Sequence, residues 1–299
     1  MLRRLILAAA DSPRVQRFVG KYGMRLGAAR FVAGETLDEA VVTLRRLNEQ
    51  GLRTNTTLLG EFVQGAAEAE SVVRTYEEVL RRIAAERLQT NVALKLTHLG
   101  VTLDEELGYA NVQRVVAEAA RHGNFVRIDM EDSPLVDVTL RIYRRLRECG
   151  HENVGTVLQS YLYRSEDDLE SLLPLQPNLR IVKGAYNEPA SIAYPKKDDV
   201  DAAYRRLVER SVAAGGFTAV ATHDEKLVDH ALAVDPGPER MELQMLYGVR
   251  TQLQLDLVAR GQRVLCAAPY GPDWFPYLMR RLAERPANLL FLLKNALGE

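Results

Sequence analysis

The sequence predicts an α/β protein: a TIM-like (β/α)8 barrel preceded by extra N-terminal helices and ending in a C-terminal helix that carries paired arginines. Three observations predict it. Eight short strand-like runs alternate with longer helical patterns, the order of a parallel barrel with its helices outside. No Pro/Gly/Ser-rich linker divides the chain. The competing doubly wound sheet would bring a glycine-rich first turn if it bound a dinucleotide, and neither G-x-G-x-x-G nor G-x-x-x-x-G-K-S/T occurs.

Residues 1–50 read as a helical segment packed on the barrel, and residues 51–299 as the barrel itself, one domain overall. The strand runs are TTLLGEFV (56–63), NVALKLTHL (91–99), NFVRIDME (124–131), GTVLQSYL (155–162), RIVKGAY (180–186), TAVATHD (218–224), MELQML (241–246) and RVLCAAP (263–269). Between them, stretches such as EAESVVRTYEEVLRRIAAERL and DAAYRRLVERSVAAGG place apolar residues at helical spacing, with glycine near the end.

Composition excludes several classes. A net charge of -1 gives no sign of nucleic-acid binding, and 47% hydrophobic residues supply a full core. Two cysteines, Cys149 and Cys266, make no disulfide framework, which points to a reducing, cytoplasmic setting. No apolar run approaches the roughly 18 residues needed to span a bilayer. The run LILAAA is shorter than a signal-peptide core, which takes about 7–15 residues. Residues 1–31 hold seven Lys or Arg against a single Asp11. Such a segment suits a peripheral contact with the inner face of the plasma membrane, although a solvated helix is the plainer reading.

In a barrel, catalytic groups come from the C-terminal ends of strands and the loops that follow. Glu61, Lys95, Asp129, Gln159, Arg180, Lys183, Thr222 and His223 all fall at such ends. Lys95 lies between Leu94 and Leu96, so alternation aims it at the opposite face. One such charge is a routine salt bridge and a lone His223 a routine hydrogen-bonded core imidazole, but five strands delivering charge to one mouth describe a site. On the last helix, Arg280 and Arg281 stand side by side among Leu278, Met279 and Leu282. One of the pair must turn inward, and a buried guanidinium requires an acidic partner or an anionic ligand. The excess of cations suits a carboxylate or a phosphate. No metal is expected, because Asp129, Glu131 and Asp132 lack a histidine at ligand spacing and His98 and His223 are isolated. Two rival functions fit the same charges: a Schiff-base aldolase or lyase acting through Lys95, and a non-catalytic barrel that binds an amino acid.

RIVKGAY, ATHD and YLMRRLAERP together resemble the proline dehydrogenase family, and KLTHLG, RIDMED, LQSYLYR and LGEFV are similar to its other strand motifs. The resemblance runs from about residue 55 to the end, and is to the short monofunctional bacterial enzymes. It implies FAD as cofactor, L-proline as substrate, hydride transfer from the carbon beside the ring nitrogen to flavin N5, and membrane quinone as electron acceptor. It also implies roles. Arg280, Arg281 and Lys95 would hold the substrate carboxylate, Glu61 would pair with one of the arginines as a gate, and Asp129 would hold Lys95 or an arginine in place. Arg180 would approach the flavin N5/O4 edge; Met130 and Gln159 would touch the ring. The backbone of Lys183, Gly184 and Ala185, with Thr222 and His223, would bind the rest of the cofactor, and Glu284 would reach its ribose. One departure stands out: the family's tyrosine two residues before Pro-Tyr-Gly is Ala267 here. Loss of a ring that packs on the substrate removes up to ~3 kcal/mol of contact. The expectation is weaker proline binding or better tolerance of 4-hydroxyproline, unless Tyr270 or Tyr186 fills the space.

Overall fold

Eight parallel strands close on themselves in chain order. They are β1 (Arg53–Thr56), β2 (Thr90–Leu94), β3 (Val126–Ile128), β4 (Val154–Gln159), β5 (Asn178–Val182), β6 (Phe217–Ala221), β7 (Met241–Leu246) and β8 (Val264–Ala267). This computed structural model describes residues 28–284, with side chains from residue 29 to 279. The basic segment before residue 28, and the side chains of Arg280, Arg281 and Glu284, lie outside the described residues.

Helix α1 (Leu37–Glu49) precedes the barrel and starts on a capping box between Thr36 and Glu39. Its Ala40, Leu44 and Leu47 are buried in the same core as the barrel's own apolar residues. After β1 to β4 come α2 (Ala66–Ala85), α3 (Glu105–Arg121), α4 (Val136–Glu148) and α5 (Ser165–Leu172). After β5 to β8 come α6 (Lys197–Ala213), α7 (Glu225–Ala233), α8 (Thr251–Ala259) and α9 (Trp274–Glu284). Apolar stripes such as Val72, Val73, Tyr76, Val79, Leu80 and Ile83 on α2 seal the outside of the sheet. Tyr76 and Tyr204 add phenol donations to the strand carbonyls of Ala93 at 3.0 Å and Ile181 at 3.1 Å. A second cluster of Phe31, Val32, Leu59, Trp274, Leu278 and Met279 seats α9, helped by the Trp274 indole donating to Glu35 at 2.6 Å.

The first strand differs from the expectation of 56–63. It spans 53–56 and is polar, while the apolar run that follows is a loop over the barrel mouth. Leu59 and Val63 are apolar because they are buried in that loop. Leu59 N–H donates to Tyr270 O at 2.8 Å, and Gly60 and Phe62 both take positive φ, which ends any strand. Glu61 therefore stands on a loop.

The lumen departs further from the usual Val/Ile/Leu filling. Asn55 reaches Asn91, and Arg127 on β3 reaches the carbonyls of Thr156 at 2.8 Å and Asn178 at 2.7 Å. β3 and β5 are not neighbours, so Arg127 and Asn178 meet through the interior. Gly155, on the strand between them, leaves the room. A Cβ there would lie 2.4 Å from both an Arg127 terminal nitrogen and the Asn178 carbonyl.

Two outcomes follow from this packing. Gly155→Ala must displace backbone as well as Arg127, and is expected to cost about 1–3 kcal/mol in denaturant melts; a variant as stable as the native chain refutes the packing. His98, buried under Gly60, has its pKa pushed below the ordinary 6.5, first by burial and then by the charge of Lys95. The unfolded chain then binds the extra proton first, so stability is full above pH 6.5 and falls as pH drops from there towards the folded value. His98→Asn should flatten that part of the pH–melting profile, and an unaltered profile would rule the effect out.

Candidate active site

The C-terminal ends of the strands bring together most of the side chains that the sequence singled out. Arg180, two residues before the end of β5, crosses the lumen and donates to Asp129 Oδ1 at 2.6 Å, just past β3. A second donation from its Nε goes to Gln244 Oε1 on β7, also at 2.6 Å. The arginine is therefore held from two sides of the barrel, and its side chain is only 12% exposed. Lys95, one residue past β2, is ion-paired with Glu61 on the loop after β1. Both are half-buried, so the pair is screened less than one on the open surface.

Met130 is buried next to Asp129. Glu131 is buried and accepts from the backbone N–H of Thr97 at 3.1 Å and from its hydroxyl at 2.6 Å. Burial pushes its carboxyl pKa up, against the pull of the two Thr97 bonds. Gln159 donates its amide N–H to the Glu131 carbonyl at 3.1 Å, while its Oε1 is buried with no partner among the described residues. A buried acceptor left open in this way awaits a donor.

The loop after β5 forms one rim. Lys183 turns its ammonium outward to Asp201 at 2.6 Å and Asp224 at 3.0 Å, and Lys197 joins the same two carboxylates. Asp224 also caps α7 through the Lys226 N–H, and its lysine partners hold its pKa down at about 2. What Lys183 offers the mouth is thus backbone, whose carbonyl already accepts from Tyr161 N–H at 2.9 Å. Gly184 has φ +116 and lies flat on Tyr161, where a Cβ would meet the ring at 2.2 Å. Ala185 is exposed beside it. Beyond β6, Thr222 Oγ1 accepts from the Asp224 N–H at 3.1 Å, and His223 Nε2 accepts from the Leu246 N–H at 2.9 Å. That bond puts the neutral ring's proton on Nδ1.

Ala267 ends β8, half-buried between Asn55 and Leu246 in register. Tyr270 lies three residues beyond Ala267 in a buried turn, its backbone N–H donating to the Thr57 carbonyl at 3.0 Å. It is 3% exposed, and burial together with Glu78 on α2 pushes its phenol pKa up, with Tyr76 of the same helix as its other electrostatic neighbour. Four residues that bear on the site were not singled out by the sequence: Tyr161 and Asp201 at the rim, and Glu242 and Gln244 inside the lumen. For the last two a signal existed, since MELQML alternates Glu and Gln with apolar residues and so aims both at one face. Among the described residues, no three His, Cys, Asp or Glu side chains converge on a metal position, and no helix is long and apolar enough to cross a membrane.

Comparison with known proteins agrees with this architecture. The proline dehydrogenase family model matches residues 40–294. Proline dehydrogenase of Deinococcus radiodurans is 43% identical, over 99% of this chain and 98% of its own. Proline dehydrogenase 1 of Bacillus subtilis strain 168 is 41% identical, over 99% of each. Among solved structures, proline utilization A (PutA) from Bdellovibrio bacteriovorus superposes with a TM-score of 0.80 at 25% identity, over 87% of this chain and 32% of that one. With a family match over most of its length and near-full-length relatives above 40% identity, the chain belongs to the proline dehydrogenase family.

Proposed function

We infer that this chain oxidises L-proline to Δ1-pyrroline-5-carboxylate, the first step of proline breakdown, with FAD as cofactor and quinone as electron acceptor. The observation that carries the reading is that Lys95, Asp129, Gln159 and Arg180 meet at one end of the barrel in a chain of this family. In the reaction a hydride leaves the carbon beside the ring nitrogen and a proton leaves the nitrogen, so a two-electron acceptor is required. When bound, the flavin supplies that acceptor.

The residues present fit such a group. The open Oε1 of Gln159 suits a ring N–H. Met130, Gln159, Arg180, the backbone of residues 183–185, Thr222 and His223 would hold it, with Glu284 towards the ribose by the family pattern. Arg180 brings a fixed positive charge to the edge where negative charge grows on reduction, so its contribution strengthens as the reaction proceeds. Lys95 would meet the substrate carboxylate with Arg280 and Arg281, Glu61 neutralising it otherwise. The Schiff-base alternative is not favoured: attack on a carbonyl needs a free amine, and Lys95 is tied into an ion pair.

The test is direct. Purified protein should be yellow and release FAD on denaturation. It should bleach with L-proline without oxygen and recover colour with a soluble quinone. Colourless protein overturns the reading, and proline binding without bleaching would favour an amino-acid sensor. At Ala267, unless Tyr270 or Tyr186 fills the space, a restored ring should favour proline over its hydroxylated analogue. Ala267→Tyr is expected to raise the ratio of kcat/KM for proline to that for 4-hydroxyproline by roughly tenfold. An unchanged ratio discards that role.

A further inference from the structure

Arg180 owes its pose to a hydrogen-bonded chain that runs down the lumen to the opposite end of the barrel. Its Nε donates to Gln244 Oε1 at 2.6 Å. Gln244 in turn donates its amide nitrogen to Glu242 Oε1 at 2.6 Å. An amide has one oxygen and one NH2 group, so the Glu242 carboxylate decides which end faces Arg180. The other Glu242 oxygen accepts from Arg263 Nε at 2.9 Å, and Arg263 also donates to the Pro238 carbonyl at 3.2 Å. Glu242 and Gln244 are each 4% exposed and stand two apart on β7, on the inward face. Ala219, paired in register with both Arg180 and Glu242, is small enough to let the three side chains meet. Below, Glu242 and Arg263 line a cavity of about 690 Å³ at the N-terminal end of the barrel, together with Arg53 and Arg127.

We propose that Gln244, Glu242 and Arg263 are positioning residues for Arg180. The charges alternate along the row: Asp129 negative, Arg180 positive, Gln244 neutral, Glu242 negative, Arg263 positive. Without Glu242 as a full acceptor, Gln244 is free to turn its NH2 group towards the Arg180 Nε–H. Donor then faces donor, and Arg180 loses its fixed orientation. Glu242 is the second residue of β7 and Arg263 precedes β8, so both stand away from the strand ends at the mouth, while Gln244 links them to Arg180. The inference rests on the reading that Arg180 faces the flavin.

The experiment uses full-length, flavin-loaded enzyme and three kinds of change. Gln244→Met removes the acceptor at similar volume, Glu242→Gln leaves one oxygen for two donors, and Arg263→Met removes the cation that anchors Glu242. Each should lower kcat about 10- to 100-fold while KM for proline moves less than about threefold, because the lost alignment acts on the transition state. The flavin midpoint potential should shift to more negative values in the same variants. Arg263→Lys, which returns the charge, should stay within about threefold of native kcat. Native kcat and native potential in Gln244→Met and Glu242→Gln would overturn the proposal. Arg180→Met separates the two layers of inference. If its potential and kcat are native, the flavin-site reading fails and takes this proposal with it; if it is impaired while the other variants are native, only this proposal fails. Should Glu242→Gln not fold, the Arg263→Met and Arg263→Lys pair, at the more exposed end of the row, decides by the same two readouts.

Discussion

A charged lumen has to be paired across its own width, and the rest of this barrel is arranged around that constraint. Asp129 and Arg180 sit on strands that are not neighbours, as do Arg180 and Gln244, so each of these bonds passes through the interior. An ion left alone there would cost several kcal/mol, and breaking one partner of a buried pair typically costs about 3–5 kcal/mol. Stability and chemistry therefore share the same bonds. The charge that would meet a ligand edge at the mouth is the one that ties β5 to β7 and to the end of β3.

The same logic extends to the rim, with helices and loops as the partners. Asp224 joins Lys183 and Lys197 and also caps α7, so the start of that helix and the loop after β5 are fastened by one carboxylate. Glu61 reaches Lys95 from a loop whose backbone is bonded to Tyr270 and whose Gly60 lies on His98. The loop after β5 is tied to the one after β3 through Glu188, which accepts from Ser133 N–H and Oγ, each at 2.7 Å. Loops fixed at several points keep backbone groups in place for a ligand.

Barrel class was legible because most strands are short, largely apolar and followed by a helical stripe, and these patterns depend on local periodicity alone. Lys95, Asp129 and Arg180 were legible as site candidates because a charge at a strand end must either pair across the lumen or face a ligand. What was lost was pairing. Lys183 was picked as a mouth residue, yet its ammonium goes to Asp201 and Asp224, 18 and 41 positions away, and no local pattern announces that. The first strand was misplaced because burial of Leu59 and Val63 in a loop imitates a strand, while the true strand RTNT is polar. Its Asn55 faces a lumen partner, Asn91, and so reads as surface. Arg127 was overlooked because two of its acceptors are backbone carbonyls, which carry no identity in the sequence, and the third is the side chain of Asn178, 51 positions away.

The demand on position 180 explains why arginine is needed there. Its Nε and one terminal nitrogen are engaged by acceptors on opposite sides, Gln244 on β7 and Asp129 beyond β3. Among the described residues its remaining terminal nitrogen meets no hydrogen-bond partner, and it would be the donor left for a ligand on the function proposed above. A planar fork can serve three directions at once, because its donors sit on three separate atoms at fixed angles. A lysine gathers all its donors on one atom at the end of a flexible stem. It could satisfy Asp129 or Gln244, but not both while still facing the mouth. Swapping the two residues would keep the charge and lose its orientation, and at a site that, on the function proposed above, would aim charge at a reacting edge, orientation matters as much as charge.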